Sequence, residues 1–209
     1  MNEKEVLLPF GRTIYQSEFG QGITTDTSNL VSEILKNHSN ENKLRVLELG
    51  SGNGIISIML AENRKNWFVI GIEIQNRLVN LANANKKKLN LSNVQFLEAD
   101  LNRFVSLEKF DLIVSNPPYY PLTGGRISPV LERAISRHEI KTNMKKILEC
   151  ININLAEKGY AYIIYPQNRE KDFMQKIKNI DLKPIEKKII SRSSKLMLFV
   201  LKKEIYGKD

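Results

Sequence analysis

The chain has 209 residues, of which 42% are hydrophobic, enough for one sizeable domain with a real core. No apolar run reaches the length of a membrane span, the start Met1-Asn2-Glu3-Lys4-Glu5 lacks signal-peptide character, and a single cysteine excludes an internal disulfide. A cytoplasmic location is therefore expected. The net charge of +9 and a pI near 9.5 favour polyanionic partners, nucleic acid first, although a generally basic surface gives the same numbers. His38 and His138 lie far apart in sequence, so with one cysteine no metal-ligand cluster of recognised spacing exists and no metal is expected. Cys150 lies in an apolar helical stretch and reads as a buried structural thiol. His38, at a helix end among polar residues, has no expected chemical role.

The elements follow in chain order. Residues up to Phe19 read as a hairpin, and a helix follows from Asp26. Residues 1–40 are thus expected as an extension packed on the core of a single domain, 1–209. Residues 44–49 read as a strand, 53–63 as a helix, 67–73 as a strand and 75–89 as a helix with a Lys86-Lys87-Lys88 face. Strands follow at 94–97 and 110–115, and a helix at 142–155. Glu157-Lys158-Gly159 turns into a strand at 160–165, then come a helix at 169–180 and two closing strands at 182–190 and 196–202. Strands alternating with helices mark the α/β class, a mostly parallel sheet covered on both faces and ending in an antiparallel hairpin.

Four places carry candidate chemistry. Glu48-Leu49-Gly50-Ser51-Gly52-Asn53-Gly54 joins the first strand of the alternating region to its helix. Glycines allow a sharp turn and close approach to a ligand, and the helix N-terminus favours an anion. The third glycine comes one residue too early for the dinucleotide pattern, and no Walker lysine follows. A plain tight turn is the alternative. Glu73 ends the next strand, 19 residues after Gly54, where a carboxylate can accept from both ribose hydroxyls of a nucleoside or simply face solvent. Asp100 follows the third strand and can accept from an adenine amino group or cap a short helix. Asn116-Pro117-Pro118-Tyr119 ends the strand 110–115. The prolines stop the ladder and bias Asn116 to an extended backbone. A stiff carboxamide with an aromatic ring beyond it then stands where open α/β sheets bind ligands, unless the motif is only a strand-ending turn. The Asn116 side-chain oxygen and the Pro117 carbonyl can accept two N–H groups of a planar amine.

Taken as an ordered set at successive strand ends, these residues resemble the class I S-adenosylmethionine-dependent methyltransferases, from about Phe19 to the end of the chain. The Asn-Pro-Pro-Tyr tetrapeptide narrows the resemblance to the amino methyltransferases. It implies a Rossmann-like, seven-stranded fold and S-adenosyl-L-methionine as cofactor. Glu48, Gly50, Gly52 and Gly54 would hold its methionine end. Glu73 would bind its ribose, Ile74 would lie against its adenine, and Asp100 with the Leu101 backbone would meet the adenine edge. Asn116 would lie near the transferred methyl, receiving the target amine with Pro117, while Tyr119 stacks on the base.

Gly22-Ile23-Thr24-Thr25-Asp26 and Arg133-Ala134-Ile135-Ser136-Arg137-His138-Glu139 are similar to segments of the bacterial enzymes that N6-methylate an adenosine beside the anticodon of a valine tRNA. That resemblance implies Thr25 and Asp26 near the cofactor and tRNA as the partner. Ile135 and Ser136 depart from the family's small residues there. Arg133 and Arg137 are one helical turn apart and can meet phosphates or form a solvated face. Lys187, Lys188, Arg192 and Lys195 add a C-terminal basic group expected on RNA. Release-factor glutamine methyltransferases share the tetrapeptide but usually carry a larger N-terminal region than the 47 residues before Glu48. Ribosomal RNA amino methyltransferases and a non-catalytic nucleotide- or RNA-binding module are the other readings.

Overall fold

Strand segments that are apolar at nearly every position need cover on both faces, and the chain supplies it with helices from both sides. A computed structural model describes residues 3–18, 24–118, 141–178, 180–191 and 193–204. β1 (Glu3–Leu7) and β2 (Thr13–Ser17) pair as an antiparallel hairpin, followed by α1 (Thr25–Asn37). Then come β3 (Arg45–Leu49), α2 (Ile55–Asn63), β4 (Phe68–Glu73), α3 (Asn76–Lys88), β5 (Val94–Glu98) and β6 (Phe110–Ser115). α4 (Met144–Asn154), β7 (Leu155–Pro166), α5 (Glu170–Ile177), β8 (Leu182–Ser191) and β9 (Leu196–Lys203) complete the described elements.

Seven strands form one sheet in the order β5-β4-β3-β6-β7-β9-β8. β3 to β7 pair in parallel, whereas β9 runs antiparallel to both β7 and β8. The order reverses between β3 and β6, which opens a crevice at their carboxyl ends.

The two faces bury different side chains, as the period-2 pleat requires. Val46 of β3 packs with Leu30 and Ile34 of α1, with α2, and with Val79 of α3. Leu47 and Leu49 face the other way, into a cluster with Ile147 and Ile151 of α4 and Phe173 of α5. Glu48 shares the Val46 side and so points at α2. That helix is buried from Ile55 through Ala61, apolar nearly all round.

The turn expected before β7 lies inside that strand. Register passes from Phe110 opposite Leu155 to Leu112 opposite Tyr160, and Lys158 takes φ 62°. The extra residues bulge out while the strand continues. Cys150 is buried, and burial pushes its thiol up to about 11, as fits a structural role.

The hairpin is fastened to this core. Leu8 and Ile14 enter the α1–α3 cluster. Tyr15 N donates to Asn85 Oδ1 at 2.7 Å, and Asn85 Nδ2 donates to Tyr15 O at 2.8 Å and to Asn53 O at 3.1 Å. Arg12 reaches Glu62 at 3.1 Å and the Leu89 carbonyl at 2.8 Å.

Gly54, immediately before α2, has φ 86°, and a Cβ built there would stand 2.6 Å from Phe96 Cζ and 3.1 Å from Ala82 Cβ. Gly54→Ala is therefore expected to cost about 2–4 kcal/mol, from left-handed backbone strain and overpacking together. Urea denaturation measures it, and a loss within about 0.5 kcal/mol would show that Phe96 yields freely.

Candidate functional site

Strand carboxyl ends leave backbone and side-chain polar groups without ladder partners, and here they surround a cleft of about 130 Å³, partly open to solvent. β3 ends in the glycine turn. Gly50 N and Ser51 N both donate to Ile72 O at 2.9 Å, which folds the turn back onto β4. Gly50 and Gly52 have φ 72° and 54°, and a Cβ on either would meet no protein atom within 4 Å. Positive φ calls for glycine there, and the open space beside both belongs to the cleft.

Two acids sit beneath the turn. Glu48 is buried and accepts from the Ser57 backbone N–H at 2.9 Å and from the Ser57 hydroxyl. Burial pushes its carboxyl up to about 8, against the Ser57 donors, and the nearby charge of Glu73 pushes the same way. Glu73 accepts from Gly52 N through Oε2 and from Gln75 N through Oε1, each at 3.0 Å. Burial raises its pKa too, while backbone N–H donors from Gln75, Gly52 and Ile74 pull it down.

Asp100 does not cap a helix. Its Oδ1 accepts from Asn102 N at 2.9 Å and Asn102 Nδ2 at 2.7 Å, closing an Asx turn. Asn102 Nδ2 also donates to the Lys141 carbonyl at 2.8 Å, and Thr142 Oγ1 donates to Asn102 Oδ1 at 3.1 Å. Lys141 and Thr142 are thereby held against the same cleft. At the end of β6, Ser115 Oγ donates to Leu49 O at 3.0 Å. The next residue differs. Asn116 Oδ1 is buried and bonded to no described residue, and Ser51 Oγ shares that condition.

Glu48, Gly50, Gly52, Glu73, Ile74, Asp100, Leu101 and Asn116 thus line one cleft. Gly54 lies behind it against Phe96, and Pro117 is buried just outside the lining, where Pro118 takes its place. Thr25 and Asp26 also fall outside. Thr24 caps α1, its side chain accepting from Thr27 N at 3.3 Å, and this turns Thr27 to the cleft. Thr25 is exposed, and Asp26 Oδ1 accepts instead from Ser194 Oγ at 2.7 Å. Tyr119, Arg133, Arg137 and Arg192 lie outside the described residues.

The C-terminal basic group is divided. Lys187 pairs with Glu170 at 2.5 Å, and Lys188 with Glu33 at 2.7 Å and Glu186 at 2.8 Å. Both lie on β8, an edge strand where lysine also discourages strand-to-strand aggregation. Lys195 sits in the turn before β9, and its carbonyl accepts from Gln167 N at 2.9 Å. That bond places the turn at the carboxyl end of β7, on the cleft's edge of the sheet. His38 lies at the other end of α1, its Nε2 3.0 Å from the Tyr162 hydroxyl and its ring edge-on to Trp67 and Tyr160.

Sequence reading missed Gln16 and Ser17 of the hairpin, and Lys141 and Thr142. The alternation from Ile14 to Gln16 is a signal for the first, since it sets both on one face of β2. Among the described residues, no group of three or more His, Cys, Asp or Glu could hold a metal ion, and no helix is long and apolar enough to cross a membrane.

The sheet order and the acid-lined cleft at the strand reversal define a class I methyltransferase fold. A methyltransferase domain model matches residues 40–204, so the chain belongs to the methyltransferase domain family, whose class I members use S-adenosyl-L-methionine as methyl donor. The release factor glutamine methyltransferase of Aliivibrio fischeri is 40% identical over 95 residues, covering 45% of this chain and 33% of that protein. The tRNA1(Val) (adenine(37)-N6)-methyltransferase of Porphyromonas gingivalis W83 is 30% identical over 132 residues, covering 60% of this chain and 51% of that protein. The matched segments thus span about a third to a half of these curated relatives. The fold is shared with the 16S rRNA N2 G1207 methyltransferase of Thermus thermophilus, solved with AdoMet and guanosine, at TM-score 0.68 and 16% identity over 97% of this chain and 50% of that one.

The Glu48 pKa has a stability consequence. A carboxyl ordinarily near 4.5 that keeps its proton to about 8 when folded adds stability that is whole below pH 4.5 and is lost as pH rises towards 8. Glu48→Gln does not titrate, so it is expected to gain on the wild type by up to about 1.4 kcal/mol per pH unit between those limits. Urea midpoints of both proteins across that range measure the gain. Parallel curves would mean that Glu48 does not titrate there.

Proposed function

We propose that this protein transfers a methyl group from S-adenosyl-L-methionine to the N6 amino group of an adenosine in tRNA, beside the anticodon of a valine tRNA. The observation that carries the reading is the buried, unpartnered Asn116 Oδ1 at the carboxyl end of β6. A buried acceptor without a donor is costly, and an incoming N–H group removes that cost.

The cleft suits the cofactor. The glycine turn offers backbone N–H groups beside the N-terminus of α2, a setting for the donor's carboxylate. Glu73 borders the cleft, where its carboxylate can accept from ribose hydroxyls alongside the N–H groups of Gly52, Ile74 and Gln75. Asp100 uses only Oδ1 among the described residues, which leaves Oδ2 for an adenine amino group, with Leu101 and Ile74 beside it. When bound, the cofactor supplies a methyl group already activated on a sulfonium.

The chain's own task is to prepare the amine. An adenine N6 lone pair is delocalised into the ring. Asn116 Oδ1 and the Pro117 carbonyl accept its two N–H groups, which favours a pyramidal nitrogen and stabilises the positive charge that develops on it. The amide is neutral and weakly basic, so the site positions the amine without deprotonating it first. Tyr119 stacks on the extruded base. The Thr24 cap brings Thr27, rather than Thr25 or Asp26, to the cofactor side of the cleft.

The charge of +9 supports an RNA partner. Of the C-terminal cations, Lys195 is the one we assign to phosphate contact, because Lys187 and Lys188 are paired within the chain. Arg133, Arg137 and Arg192 are proposed with it. A second reading, methylation of a release-factor glutamine, is favoured by the 40% identical relative, and a carboxamide nitrogen needs the same two acceptors.

Labelled cofactor offered in parallel to total tRNA, ribosomal RNA, DNA and release factor separates these readings. N6-methyladenosine in tRNA is the expected product, whereas methylglutamine or N2-methylguanosine would replace the proposal. Asn116→Ala is expected to lower turnover at least about 100-fold, a loss comparable to removing a transition-state donor or acceptor, with cofactor affinity held within about threefold by calorimetry. Unchanged turnover would remove Asn116 from the mechanism.

A further inference from the structure

The hairpin contributes a wall to the cleft as well as to the core. On β2, Ile14 is fully buried among apolar side chains, and Gln16, two residues on, presents the same face. At that point the strand leaves the core and borders the cleft. Gln16 is only 5% exposed, lines the cleft, and its carboxamide bonds to no described residue. A carboxamide so placed has two N–H donors and an acceptor oxygen to satisfy.

Its position along the cleft follows from its neighbour. The Tyr15 carbonyl accepts from Asn53 Nδ2 at 3.4 Å and from Asn85 Nδ2 at 2.8 Å, and Asn53 belongs to the glycine turn at the start of α2. Asn85 also holds Tyr15 N and Asn53 O, so one fully buried amide locks β2 to that turn. Gln16 therefore borders the end of the cleft where a helix N-terminus favours a carboxylate. An amino-acid group carries a carboxylate and an ammonium together, and a carboxamide can donate to the first or accept from the second.

We infer that Gln16 is a ligand-contacting residue that takes the amino-acid end of the methyl donor, with Asn85 as the residue that positions it. The inference rests on the methyltransferase reading of the cleft. Gln16 adds to the glycine turn a side-chain contact from an element outside the seven-stranded sheet.

Calorimetry with two ligands tests it: S-adenosylhomocysteine, which has the amino-acid end, and 5′-methylthioadenosine, which lacks it. Gln16→Ala is expected to weaken S-adenosylhomocysteine about tenfold or more, at least about 1.4 kcal/mol, and to leave 5′-methylthioadenosine unchanged. The melting temperature of the ligand-free variant should not fall, since no protein partner of the amide is lost. Unchanged affinity for S-adenosylhomocysteine overturns the assignment. Equal losses for both ligands overturn it too, because they would mean a collapsed wall. A wild-type protein that binds neither ligand would instead overturn the methyltransferase reading of the cleft.

Discussion

Glu73 accepts one backbone N–H from the glycine turn and another from the turn into α3. Parallel strands part where their ladder stops, and nothing in the ladder fixes the loops beyond it. The Ile72 carbonyl holds the glycine turn to β4, the Glu73 carboxylate ties that turn to the next, and the groups between them inherit the spacing. The arrangement brings charge into a buried place. The charge of Glu73 disfavours ionisation of Glu48, and burial acts on both. Three backbone N–H groups support charge on Glu73, while Glu48 draws only on Ser57. The strain between the acids is therefore borne by Glu48, the one turned away into α2, and Glu73 is left the better acceptor at the cleft.

The wall opposite is of another kind. An isolated two-stranded hairpin is marginal in water, so the place of β1 and β2 depends on what they dock against. Lys88 stands 4.2 Å over the Tyr15 ring and 2.8 Å from Glu5, and Arg12 reaches Glu62. Such partly exposed contacts are worth little singly. Asn85 is fully buried and satisfies both backbone groups of Tyr15. Losing it would strand the Tyr15 N–H and leave the Tyr15 carbonyl only the 3.4 Å bond from Asn53, so the amide does more than the ion pairs around it to keep the cleft's second wall in place.

The sheet was legible because burial on both faces writes itself as continuous apolar runs, and the run 110–115 ends where two prolines forbid a ladder. Strand ends then located most of the cleft. What escaped reading depends on partners distant in sequence. The bulge in β7 carries turn residues but keeps its pairing, so Glu157-Lys158-Gly159 resembles a strand boundary. Thr25 and Asp26 carry the expected chemistry, yet the Thr24 cap decides which residue of the first turn faces inward. Lys188 meets Glu33 across 155 positions of chain, and no local pattern distinguishes it from a free cation. Gln16 follows the alternation of β2, but its lining role depends on where the whole hairpin docks.

The same residue type can have a side-chain oxygen shielded from solvent and either satisfied or left open, and the open one borders the cleft. Asn154 Oδ1 accepts from Ser106 N at 2.8 Å while its amide group donates to Phe104 O and Cys150 O, and Asn85 is as fully used. Asn116 Oδ1 has no such partner, although Ser115 beside it finds the Leu49 carbonyl. An aspartate at that position would add another carboxylate to a cleft that already contains Glu48, Glu73 and Asp100. Burial and mutual repulsion would raise its pKa, and a protonated acid adds an O–H donor where the proposed amine needs acceptors. A neutral amide escapes that conflict. It remains an acceptor at any pH the protein meets, and in the proposed reaction it would hold an amine's hydrogens without taking one away.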